Sequence, residues 1–106
     1  MLFGPRLHHV SADELRRELE ATSSPVLIDV REPDEYAAGH VPGAINLPLG
    51  SLPTAARDIA PDADVVTICQ SGHRSVTAGK RLLKAGYSKV RSVKGGTDAW
   101  RGPLER

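Results

Sequence analysis

Two short runs constrain this chain more than any other feature. Val26-Leu27-Ile28-Asp29-Val30 is almost wholly apolar, and Asp64-Val65-Val66-Thr67-Ile68 reads as the clearest buried strand. A strand with one wet face alternates polar and apolar residues, whereas a strand covered on both faces reads as a continuous apolar run. Both runs therefore call for helices above and below the sheet. The stretches between them read as such helices. Ser11-Ala12-Asp13-Glu14 is a capping box, and a helix is predicted to about Ala21 with Leu15 and Leu19 on one face. Pro33 suits the first turn of a short helix and Gly39 its end. A longer helix is predicted from about Ser75 to Ala85, with Ser75 as its cap, Ala78, Leu82 and Ala85 on one face, and Gly86 as the stop. Ala44-Ile45-Asn46-Leu47 reads as a short strand, residues 51–60 as a weak helix and Lys89 to Val93 as an alternating strand. Gly95-Gly96 reads as a turn, with Thr97 capping a final helix that carries Trp100. Strands alternating with helices imply an α/β fold, a small three-layer sandwich built on a parallel sheet. Ligands in such folds bind beyond the carboxyl ends of the strands, and Cys69 lies one residue past such an end.

The length of 106 residues is that of one domain, read here as residues 1–106 with a core from about residue 8. Folding at this size removes roughly 65% of the unfolded chain's surface from water. Apolar residues at 40% and charged residues at 25% are ordinary for a soluble globular protein and argue against wholesale disorder. No apolar run approaches the ~18 residues of a membrane helix. Met1-Leu2-Phe3-Gly4-Pro5-Arg6 lacks the basic stretch and apolar core of a leader. The expectation is a cytoplasmic monomer that needs no metal or other cofactor. A single cysteine excludes an internal disulfide and a multi-cysteine metal site, and His8 and His9 do not suggest a metal site.

The formal charge of +1 hides an asymmetry: residues 1–64 carry five Lys/Arg and eleven Asp/Glu (−6), residues 65–106 nine and two (+7). Lys80, Arg81, Lys84, Lys89, Arg91 and Lys94 are either solvated faces or a field that favours anions near Cys69. One Trp, two Tyr, one Phe and no dense basic run argue against nucleic acid as a partner.

The sharpest local signal is Ile68-Cys69-Gln70-Ser71-Gly72-His73-Arg74-Ser75, which joins a buried strand to a helix. Thiolate is the reactive form of cysteine, so a functional site must hold negative charge. A loop that curls its N–H groups inward makes an anion nest, and the following helix adds free amides and the positive end of its dipole. Gly72 permits a turn that a side chain would hinder, and Arg74 adds fixed charge. The plain alternative is a buried, inert cysteine at a strand end. Gly, Arg and Ser at helix-entry spacing favour a functional thiol.

These residues resemble the rhodanese family. Cys69-x-x-Gly72-x-Arg74-Ser75 is similar to its active-site loop. Asp29-Val30-Arg31-Glu32-Pro33-Asp34-Glu35-Tyr36 followed by Gly39-His40-Val41-Pro42-Gly43-Ala44-Ile45-Asn46-Leu47-Pro48 is similar to its upstream signature, and Gly95-Gly96 with Trp100 to its C-terminal one. The resemblance runs from about His8 to the end of the chain. It implies a five-stranded parallel sheet flanked by helices, and a cysteine that carries sulfane sulfur as a persulfide. It implies double displacement: the Cys69 thiolate takes the outer sulfur of a small sulfur-containing anion such as thiosulfate, sulfite leaves, and a thiol, cyanide or protein acceptor takes the sulfur on. Loop amides from Gln70 to Ser75 would hold the transferred sulfur. Four residues separate Cys69 from Arg74, whereas the related phosphatases have five. The shorter loop suits one extra sulfur, and the longer one a tetrahedral phosphate.

Arg74 either contacts an anionic substrate or braces the loop against Glu35 or Glu32. Bracing is preferred, because a guanidinium matches a carboxylate bidentately. Asp29 and Arg31 look like scaffold residues beside the loop. His73 either touches donor or acceptor or faces solvent, and His40 reads as structural. Neutral Gln70 and Ser71 weaken the case for thiosulfate as the natural donor. The functional readings are a thiosulfate-type sulfurtransferase, a persulfide carrier in a sulfur relay, a non-catalytic interaction domain disfavoured by Cys69, and a phosphatase or arsenate reductase disfavoured by loop length.

Overall fold

The computed structural model describes residues 6–106. Met1 to Pro5, read above against a leader, lie outside the described residues. In chain order the elements are β1 (His8–Ser11), α1 (Ala12–Leu19), β2 (Val26–Asp29), α2 (Pro33–Ala38), β3 (Ile45–Asn46), β4 (Asp64–Ile68), α3 (His73–Lys84) and β5 (Lys89–Lys94). The five strands form one sheet in the order β1-β5-β4-β2-β3, every pair parallel. The two apolar runs become the adjacent central strands β2 and β4, with Val26 opposite Val65 and Asp29 opposite Ile68.

Pleating sends alternate residues to opposite faces, so each central strand serves two cores. Val65 joins Ile28, Val90, Ala78 and Leu82 under α3. Val66 and Ile68 join Leu27, Val93, Val10 and Leu15 under α1. Cys69 falls on the α3 side. The result is the three-layer α/β sandwich that the alternation implied. No helix among the described residues is long and apolar enough to cross a membrane.

Several boundaries differ from the sequence reading. β1 carries no local signal: it is four residues long, two of them exposed histidines, and exists by pairing with β5. Residues 51–60 form no continuous helix. Two 3-10 turns, Leu49–Ser51 and Thr54–Ala56, each follow a proline, whose missing N–H interrupts a helical ladder. Helix α3 begins at His73, and its cap is Gly72 rather than Ser75. Ala85 is exposed, and the buried face of α3 is Ser75, Ala78, Gly79 and Leu82. The final helix is a single 3-10 turn, Gly96–Ala99, capped by Gly95 rather than Thr97, and Trp100 follows it.

Candidate active site

β4 ends at Ile68, whose carbonyl accepts from the amide of Val30 at 2.9 Å. The next residue, Cys69, is only 1% exposed, so its sulfur sits in a recess at the carboxyl end of the central strands. The chain then folds back over that sulfur. Gly72 adopts φ +106°, a left-handed conformation, and its amide donates to Cys69 Sγ at 3.1 Å. Ser75 Oγ lies 3.5 Å from the same sulfur.

The turn after β5 fixes this loop from outside. Thr97 donates to the Cys69 carbonyl through its amide at 2.8 Å and its hydroxyl at 3.2 Å, and the Asp98 amide donates to the Gln70 carbonyl at 3.0 Å. In a trans peptide the C=O and the following N–H point opposite ways. Pulling these two carbonyls outward therefore turns the amides of Gln70 and Ser71 away from the turn and toward the loop interior. The turn needs glycine to come so close. A Cβ on Gly96 would overlap the Cys69 carbonyl oxygen and lie 2.6 Å from that of Gln70.

Burial pushes the Cys69 thiol up. The Ser75 hydroxyl and the backbone amides of Ser75, Gly72 and Ser71 act against it and win, leaving the thiol below its ordinary value. The arrangement can hold a thiolate out of water by fixed dipoles, without a general base.

Charged groups form struts around the loop. Arg74 Nη1 and Nη2 donate to Glu35 Oε1 and Oε2 at 2.7 and 2.9 Å. The Arg74 guanidinium and the Glu32 amide hold the Glu35 carboxyl down at about 2. Of the two acids weighed for Arg74, Glu35 is the one it reaches. Asp29 and Arg31, exposed 0% and 3%, pair through Nε and Nη2, and the Arg31 amide also donates to Asp29. Arg31 Nη1 reaches Gln70 Oε1 at 3.0 Å, and Gln70 Nε2 donates to Asp98 Oδ1 at 2.5 Å. Gln70 is thus a bridge between the end of β2 and the final turn.

Ser71 and His73 are exposed and touch each other, Oγ to Nδ1 at 3.1 Å. Buried His40 stacks on Tyr36 and bonds its carbonyl through Nδ1 at 2.8 Å, away from the loop. Arg91 pairs with Glu18 and Asp64, so its charge is compensated, and Arg81 donates to the Leu49 carbonyl. Sequence reading missed Asn46, Ser92 and Asp98. Asn46 donates to the carbonyls of Asp29 and Arg31, and Ser92 lies 2.7 Å from Ser75. Among the described residues, no three of His, Cys, Asp and Glu converge as a metal ligand set.

Comparison with known proteins follows the same outline. The model of the rhodanese-like domain matches residues 11–103. A protein of Allochromatium vinosum named sulfurtransferase is 36% identical over 94 residues, covering 89% of this chain and 88% of that one. The human single-domain sulfurtransferase superposes with TM-score 0.78 at 30% identity, covering 90% of this chain and 96% of that one. A thiosulfate sulfurtransferase of Pseudomonas aeruginosa superposes with TM-score 0.83 at 29% identity, over 94% of this chain and 20% of that one.

Proposed function

The chain belongs to the rhodanese-like domain family of sulfurtransferases, and from that membership we propose that it moves sulfane sulfur through a persulfide on Cys69. The Cys69 thiolate attacks the outer sulfur of a donor such as thiosulfate. A new S–S bond forms at Cys69, the donor's S–S bond breaks, and sulfite leaves with its electron pair. A thiol or cyanide then attacks the outer sulfur of the persulfide, and the thiolate is restored. Oxidation state and charge balance in each half without a metal or redox partner. Splitting the transfer across a covalent intermediate replaces one difficult step with two easier ones.

The observation that supports this reading is the convergence of the Gly72 amide and the Ser75 hydroxyl on a buried sulfur. That environment lowers the thiol's pKa and suits a negative sulfur at the mouth of the loop. Loop length supports it as well, since four residues between Cys69 and Arg74 enclose a smaller space than five. Arg74 and Gln70 act as braces in this reading, because both are engaged by protein partners.

The test is intact mass after incubation with thiosulfate, together with thiocyanate formation from thiosulfate and cyanide. Wild type should gain ~32 Da, one sulfur, reversed by reductant, and should form thiocyanate. Cys69→Ser should do neither while keeping its fold. Thiocyanate turnover retained in that variant would reject the mechanism.

A further inference from the structure

Ser92 lies on β5, outside the loop, yet its side chain is fully buried. It is the register partner of Thr67 on β4, so both side chains point toward the face covered by α3. Ser75, in the first turn of α3, rests on that pair. Its carbonyl accepts from Thr67 Oγ1 at 2.8 Å, and its hydroxyl lies 2.7 Å from Ser92 Oγ. Cys69 Sγ is the next atom along, 3.5 Å beyond Ser75 Oγ. Three buried groups, Ser92, Ser75 and Cys69, thus form a chain. Among the described residues, the Ser92 hydroxyl has no hydrogen-bond partner except Ser75.

The proton count gives that chain a direction. With Cys69 ionised, Ser92 donates to Ser75 and Ser75 donates to the sulfur, so both hydroxyl protons have acceptors. With Cys69 protonated there is one proton more. The thiol donates to Ser75, Ser75 donates to Ser92, and the Ser92 proton points at nothing. A buried donor without an acceptor is unfavourable. The other arrangement keeps both hydroxyls aimed at the sulfur, but a neutral thiol sulfur is a weak acceptor, so the chain is strongest when the sulfur carries charge.

We propose that Ser92 is a positioning residue for Cys69: by donating to Ser75, it directs the Ser75 proton at the sulfur. The proposal rests on the reading of Cys69 as the sulfur-carrying nucleophile. The ionisable side chains around the loop include Arg74 and His73 on α3, Glu32 and Glu35 at the start of α2, Asp29 at the end of β2, Arg31 just past it, and Asp98 on the final turn. None of them hydrogen-bonds to Ser75 or Ser92, so substitution of Ser92 leaves their own contacts in place.

The experiment is the pH dependence of Cys69 alkylation by iodoacetamide, clean because the chain has one cysteine. It is run on wild type, Ser92→Ala, Ser75→Ala and the double variant, with urea denaturation reporting the fold. Ser75→Ala should raise the midpoint by about one pH unit, since it removes a donor to a charged sulfur. Ser92→Ala should raise it by about half a unit, the share due to one hydroxyl polarising the next. In the Ser75→Ala background, Ser92→Ala should add nothing. A wild-type midpoint in Ser92→Ala would overturn the proposal, and that variant decides alone if Ser75→Ala does not fold. An equal shift in both backgrounds would also overturn it, because Ser92 would not be acting through Ser75. Sulfur loading by mass, measured on the same proteins, separates this outcome from the function. A wild type that never gains sulfur rejects the persulfide reading, whatever the midpoints show.

Discussion

Glu35 grips Arg74 with both carboxylate oxygens, joining α2 to the first turn of α3 across 39 positions of sequence. The same carboxylate accepts from the Glu32 amide at 3.0 Å. One side chain therefore closes its own helix end and holds the loop's cation. Its pKa of about 2, against 4.5 ordinarily, ties this joint to pH. A depressed carboxyl adds stability above its ordinary value and loses it as pH falls through the folded one. The wild type should weaken as pH drops from about 4.5 toward 2. Glu35→Gln keeps the amide's acceptor and should show a flatter loss over that interval. Both partners are about one-third exposed, so its penalty at neutral pH should stay under about 1 kcal/mol. Urea midpoints at pH 7, 4.5 and 3 check this; parallel profiles for the two proteins would contradict it.

Gly96→Ala tests whether the final turn shapes the loop. The substitution meets two carbonyl oxygens and a backbone at φ +59° that L-residues rarely adopt. The expected loss is more than about 2 kcal/mol of stability. The Cys69 alkylation rate should fall as well, because the Cys69 and Gln70 peptides are no longer held by Thr97 and Asp98. A stable variant with wild-type thiol reactivity would show that the loop keeps its shape unaided.

Asp29→Ala leaves the Arg31 guanidinium buried with only Gln70 and Gly39 as partners. Removing one member of a buried pair typically costs about 3–5 kcal/mol. Chemical denaturation should show a loss of that order, and a loss below about 1 kcal/mol would mean water enters to solvate Arg31. The effect on sulfur transfer should be indirect, carried through Gln70.

Loop length separates sulfur from phosphate chemistry, and three proteins test it: wild type, a one-glycine insertion and Cys69→Ser. Wild type should not hydrolyse aryl phosphates. Inserting one glycine after Gly72 lengthens the spacer from four to five residues. It also shifts Ser75, whose hydroxyl lies 3.5 Å from Cys69 Sγ, by one position. Sulfur transfer should drop sharply, since one such donor is typically worth a few kcal/mol at a transition state. Phosphatase turnover by wild type that vanishes in Cys69→Ser would replace the sulfurtransferase reading.

The parts of this fold legible in sequence are those whose signal is local. β4 spans Asp64–Ile68 as its apolar run indicates, and the capping box at Ser11 and Glu14 sets the start of α1. β1 was hidden because an edge strand bearing His8 and His9 shows its nature only against β5. Ser75 was misplaced for a related reason. Serine is the stronger cap by residue type, but Gly72 alone can take the left-handed turn that brings its amide onto the sulfur. That choice moves Ser75 inside the helix, where its hydroxyl faces inward. Asn46, Ser92 and Asp98 gave no warning, since each acts on a residue 15 or more positions away.

The clamp of Thr97 and Asp98 on the Cys69 and Gln70 carbonyls bears on how portable the loop is. Residues 69–75 contain the sulfur, the cation and the glycine, and look like a cassette for any strand-helix junction. Yet the peptide planes that aim the amides are set by a turn nearly thirty residues downstream, and the Gln70 side chain is tethered to Arg31, just past β2 and some forty residues upstream. Grafted alone onto another α/β scaffold, the heptapeptide would bring its residues without their orientation. The shape of this loop therefore belongs to the whole sandwich, and transplanting it means carrying the distal turn along.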